Sequence, residues 1–313
     1  MNTPTKLGAY AVGLLALFGA AAGVGNTVGP VDPVDAGHTS TAHTTGEPAQ
    51  HGDHGASSDE MGEQPVPEMP GGLMVSEQGY TLSLTQELLP AGAATPVSFR
   101  ILGPDGVPVT AYEETHDKDL HFIAVRRDMT GFQHVHPELG QDGQWSVPLS
   151  LTAGTWRVFA DFASADHGEK LTLGADISVA GDYQPRDVPA PSTTAQVDGY
   201  TVTLDGQLAA GKESELTLSV SRDGKPVTDL QPYLAAYGHL VALRDGDLAY
   251  LHVHPVGEPR DGQTEPGPDI AFYATAPSAG DYRLFLDFQH NGVVRTAELT
   301  ARAGATSTSG EEN

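Results

Sequence analysis

The stretch FQHVHPEL, residues 132–139, returns as YLHVHPVG, residues 250–257, so one chain carries His-Val-His-Pro twice. Residues two apart on a strand point to the same face. His134 and His136 therefore project side by side, as do His252 and His254, while Val135 turns to the opposite face. Pro137 offers no backbone donor and marks a strand end or edge. His121 lies upstream, and hairpin pairing across the turn at 128–131 sets it opposite about position 136. Three imidazoles meet in one patch of the first half, and the same reasoning gathers His239, His252 and His254 in the second. Imidazole and carboxylate without thiolate suit Cu(II) or Zn(II), with Cu(II) first in affinity. Ligating imidazoles must be deprotonated, so binding should weaken as pH falls from about 7 toward 5.

Further ligand types stand close by in the sequence. Asp161 and Asp287 sit in FADF and FLDF, strands so apolar that a carboxylate needs a partner. Each can orient a ligand histidine through its second nitrogen or bind a metal itself. His167 follows Asp161, and His290 follows Asp287. Glu113, Glu114 and His116 precede His121 and have no counterparts before His239, which makes the first half the richer candidate. The competing reading is a structural one: histidines satisfied in a hydrogen-bonded network inside a non-catalytic cell-surface or protein-binding module. Catalysis has less support. No Gly-x-Ser-x-Gly elbow, His-Glu-x-x-His helix or Gly-rich nucleotide loop is present.

The elements that must hold these residues also recur. GYTLSL at 79–84 answers GYTVTL at 199–204, and PDGVPVT at 104–110 answers RDGKPVT at 222–228. LHFIAVRRD at 120–128 answers HLVALRDGD at 239–247, and AGTWRVFADF at 153–162 answers AGDYRLFLDF at 279–288. The register moves by two residues between the first two blocks and by eight across the loop GEPRDGQTEPGPD, and otherwise holds, so the chain contains an internal duplication. Alternating runs bounded by Gly, Pro and Asp read as short strands. The expectation is all-β: two tandem immunoglobulin-like β-sandwiches, 72–181 and 197–303, joined by a Pro-rich linker at 182–196.

The ends read differently. Lys6 precedes an uncharged stretch, Leu7 to Gly25, close to the roughly 20 residues that span a bilayer. Residues 1–25 are thus a transmembrane anchor helix or a cleaved signal, with the bulk of the chain extracytoplasmic, membrane-held or secreted. Residues 26–71 read as a disordered linker containing His38, His43, His51, His54, Met61 and Met69, a composition that also suits loose metal capture. Residues 304–313 read as a disordered tail. The absence of cysteine excludes disulfides and thiolate sites, and a net charge of −25 excludes nucleic acid as a partner. The remaining candidate partners are a metal ion, a cell-envelope protein, and the membrane through the N-terminal segment alone.

The blocks THDKDLHFIAVRRDMTGFQHVHPEL and GTWRVFADF resemble bacterial secreted or membrane-anchored proteins of actinobacterial type that are labelled heavy-metal- or copper-associated. The halves are also similar to small β-sandwich modules of the YtkA-like and copper-resistance type. The resemblance covers about 100–180 and, more weakly, 220–302. It implies an extracytoplasmic sandwich that handles copper, with His121, His134 and His136 as its motif positions. Two features depart from it: there is no cysteine-bearing heavy-metal domain and no clear N-terminal His-Met motif.

Overall fold

The computed structural model describes residues 69–305. The N-terminal segment, the linker histidines 38, 43, 51 and 54, Met61 and the last residues of the tail lie outside the described residues. Among the described residues no helix is long and apolar enough to cross a membrane. Among the described residues all the regular structure is strand. The first repeat contributes β1 (Ser76–Glu77), β2 (Tyr80–Leu84), β3 (Leu88–Leu89), β4 (Gly92–Leu102), β5 (Tyr112–Glu113), β6 (Leu120–Arg126), β7 (Gln133–Val135), β8 (Glu138–Leu139), β9 (Gln144–Leu151), β10 (Gly154–Ser164) and β11 (Lys170–Val179). The second contributes β12 (Thr194–Val197), β13 (Tyr200–Asp205), β14 (Glu213–Arg222), β15 (Lys225–Pro226), β16 (His239–Arg244), β17 (His252–Pro255), β18 (Asp269–Thr275), β19 (Gly280–His290) and β20 (Val293–Ala303).

Each repeat packs two sheets face to face. In the first, β1-β2-β4-β9-β8 faces β3-β11-β10-β6-β7; in the second, β12-β13-β14-β18-β17 faces β16-β19-β20. Outer-sheet strands such as β9 and β14 alternate buried and exposed positions, as a sheet with one wet face must. Phe99, Phe122, Trp145 and Trp156 fill the first core; Tyr200, Phe272, Tyr282 and Phe288 fill the second.

The inner sheets behave otherwise. Every residue of β6 is buried, so both faces of that strand are covered. The cover is the other repeat. Ile123, Val125, Met129 and Phe159 pack against Val241, Leu243, Leu248 and Phe285. Phe132 stacks on Phe285 with centroids 4.0 Å apart, and Phe159 meets Tyr250 at 5.7 Å. Phe132 corresponds to Tyr250 in the duplication, and Phe159 to Phe285. The contact is therefore pseudo-two-fold, as in an isologous dimer whose two subunits have been joined.

Three boundaries shift from the sequence expectation. Gly71, assigned to the linker by composition, accepts from the Tyr250 amide at 3.0 Å, and Gly72 donates to the Thr172 carbonyl. Gly72 has φ +73°, and a Cβ there would lie 2.5 Å from the Phe159 ring, so only glycine lets the chain thread this gap. Residues 194–196, assigned to the Pro-rich linker, are the start of β12. Gly304, assigned to the tail, bridges Ala209.

Candidate metal centre

β6 and β7 form the hairpin that carries the first histidines. Asp128 shapes its turn, accepting from Arg126 Nε at 2.9 Å, Thr130 Oγ1 at 2.7 Å and the Arg186 amide at 2.9 Å. The register pairs Phe122 with Val135 and Ile123 with His134, which runs on to set 121 against 136. His136 Nε2 lies 3.3 Å from His121 Nδ1, and His134 Nε2 lies 3.0 Å from the same atom. His121, His134 and His136 thus offer three nitrogens within 4.8 Å of one another.

The second repeat completes the cluster. β16 and β19 pair His239 with Asp287, as β6 and β10 pair His121 with Asp161. Across the interface the His121 and His239 rings stack at 5.4 Å, and His134 and His239 stand 4.6 Å apart. His134 Nδ1 meets Asp287 Oδ2 at 2.8 Å, with both side chains at most 3 % exposed. Asp287 Oδ1 accepts from Thr296 at 2.5 Å. His134, His239 and Asp287 form a second convergent group. His116 completes the ring of imidazoles, 5.9 Å from His121 and 5.7 Å from His239. It sits at a strained hairpin tip, with φ +49°, whose Asp117 accepts from the Ala235 amide of the other repeat at 2.9 Å.

The hydrogen bonds fix which nitrogens carry protons. His121 Nε2 lies 2.9 Å from the Thr115 carbonyl, which can only accept, so Nε2 donates. His134 Nδ1 donates to the Asp287 carboxylate. Neutral tautomers therefore leave the lone pairs of His121 Nδ1 and His134 Nε2 facing each other at 3.0 Å. A cation between them, a proton or a metal ion, relieves that opposition. Protons are disfavoured on the neighbours. Burial, then His134, pushes His121 down to about 4; burial, then His134 and His121, takes His136 down to about 3. His239 is held well below its ordinary range and His116 below it, burial being the largest cause for each.

The remaining candidates do not join these two groups. The expected second triad does not assemble, because β17 leaves the inner sheet and pairs with β18, His252 opposite Thr275 and His254 opposite Tyr273. In the first repeat the Gln133 side chain takes that place, donating to the Ser150 carbonyl at 2.9 Å and accepting its amide at 2.7 Å. The corresponding residue of the second repeat is Leu251, which has no such groups. The backbone of β17 then pairs with β18 itself, and His239 joins the first repeat's cluster. Asp161 lies opposite His121 but is bonded to Lys170 Nζ at 2.9 Å and Thr172 Oγ1 at 3.1 Å. His167 packs against Tyr80, 3.6 Å from Glu169. His290 bridges Tyr200 at 2.7 Å and Asp229 at 3.1 Å, away from the cluster.

An all-β chain of packed sheets, with a buried His/Asp cluster able in principle to coordinate a metal ion, is the class these observations define. The profile of "Domain of unknown function (DUF8832)" matches twice, over residues 75–181 and 195–305, and the chain belongs to that family. No curated protein matches the sequence. Among solved structures it is similar to the Escherichia coli adhesin FdeC at 16 % identity and TM-score 0.23, covering 73 % of this chain and 65 % of that one. It is similar to Yersinia pseudotuberculosis InvD at 10 % and 0.24, covering 74 % and 58 %, and to domains 4–9 of the surface layer protein SbsC at 8 % and 0.23, covering 73 % and 31 %. The chain spans less than two thirds of each of these, and likeness at this level bears on neither activity nor partner.

Proposed function

We propose that this is an extracytoplasmic, non-catalytic metal-binding protein that takes Cu(II) or Zn(II) at His121 Nδ1, His134 Nε2 and His136 Nε2. The observation that carries the reading is the pair of lone pairs facing each other at 3.0 Å with a third imidazole nitrogen beside them. Thr115 and Asp287 supply the outer hydrogen bonds that orient two of the ligands and fix their tautomers. Cu(II) precedes Zn(II) by affinity order. The resemblance to copper-associated envelope proteins points the same way, as does the apolar N-terminal stretch for a membrane-held or secreted chain of immunoglobulin-like repeats.

The test is metal retained after a weak chelator has removed loosely held ions. His121→Gln and His136→Ala should each weaken the tight equivalent by about a hundredfold or more, beyond the 10–100-fold of an outer-shell loss. His167→Ala should leave it unchanged. A parent chain that retains no ion would defeat the reading.

One observation favours a second reading. His121 and His134 are buried between the repeats, and each is bonded outward. A proton in place of the metal would make them a structural network that docks the halves of a cell-surface module, one that binds an envelope protein. In that case the halves stay docked and the histidine substitutions change stability without any metal being held.

A further inference from the structure

His134 belongs to both convergent groups, and its two nitrogens have different neighbours. Nε2 faces His121 and His136, while Nδ1 faces Asp287, beside His239. We propose that the centre is binuclear: His134 bridges two divalent ions as an imidazolate. One ion lies with His121 and His136 on Nε2; the second lies with Asp287 and His239 on Nδ1. The bridge rests on the metal-binding reading above and extends it to a second site. In forming it, the Nδ1 proton of His134 passes to solvent, and its hydrogen bond to Asp287 is replaced by two bonds to the metal, one from each partner.

Three features prepare the second position. Thr296 holds Oδ1 of Asp287, which leaves Oδ2 as the coordinating oxygen on the side of His134. His239 Nδ1 is buried and has no hydrogen-bond partner, a costly state for an imidazole with nothing to bind. His239 also lines a cleft of about 470 Å³ between the repeats, with His116, Lys170, Thr172 and Tyr250 on its walls. The cleft gives the second ion an entry path and a position for water or a small anion beside its three protein ligands. The negative charge of the imidazolate and of Asp287 offsets part of the charge of two dications in this buried place.

Full-length protein titrated with Cu(II) tests the bridge by electron paramagnetic resonance and by counting retained ions. The single-ion signal should grow through the first equivalent and then collapse as the second couples to it through the ring. Loading Zn(II) at one position should restore an uncoupled Cu(II) signal. Asp287→Asn and His239→Gln should each retain one ion with an uncoupled signal, and His134→Gln should abolish coupling. Because the parent titration needs no variant, misfolding of a substituted chain cannot rescue the idea. Two retained but uncoupled ions overturn the bridge. A single retained ion that Asp287→Asn leaves in place also overturns it while the first site stands. No retained ion overturns both.

Discussion

Replacing Phe285 by alanine is expected to lower the unfolding free energy of the metal-free protein by about 3–5 kcal/mol, the usual cost of emptying a buried aromatic site. Phe285 is fully buried, stacks on Phe132 at 4.0 Å and lies in the cluster that joins the repeats. Denaturant unfolding followed by tryptophan fluorescence measures the loss. The same change should lower metal affinity, because Phe285 and Asp287 lie on one strand and Phe132 precedes His134 by two residues. Tyr273→Ala, on the exposed face of β18, provides the contrast and should cost under about 1 kcal/mol. If Phe285→Ala cost no more than Tyr273→Ala, the repeats would not be packed through this face.

Acid should also destabilise the metal-free protein. An imidazole held below its ordinary value binds its proton more readily in the unfolded chain. Stability is then full above about pH 6.5 and is lost as pH falls toward the folded-state value. For His121 that value is about 4, so the loss is on the order of 3 kcal/mol across the window. His136, pushed down to about 3, extends the loss to lower pH, discounted for its partial exposure. The groups facing His121 are His134 on β7, His136 just after it, His239 from β16, His116 from the hairpin tip, Asp161 on β10 and Lys170 on β11. Chemical denaturation at several pH values with chelator present reads the slope directly. A flat profile between about pH 7 and 4 would mean that His121 titrates in the folded state as it does in water.

Much of the local geometry was legible in the sequence. The strand period set His134 and His136 on one side, and counting from the turn at 128–131 set His121 across from 136. The demand that Asp161 and Asp287 find partners also followed from their apolar strands. What remained hidden was the encounter between the halves. Its signal was present in HFIAV and HLVAL, strands apolar on both faces, because such a strand needs cover on both sides. The second His-Val-His-Pro misled for a physical reason. Identical residues took a different sheet: where the Gln133 side chain bonds Ser150, Leu251 has no such groups and the β17 backbone pairs with β18 itself. No spacing within the motif reveals that difference.

The bond from His134 to Asp287 joins residues 153 positions apart. Closing so long a loop is entropically late in folding, after the local hairpin of β6 and β7 has formed. A chain synthesised from its N-terminus holds His121, His134 and His136 in open solvent until the whole second repeat has followed. On the metal-binding reading proposed above, an ion met in that interval would sit on a bare tripod and exchange freely. Tight capture would wait for the carboxyl-terminal half to seal the ligands from water. Metal retention would then be coupled to completion of the chain.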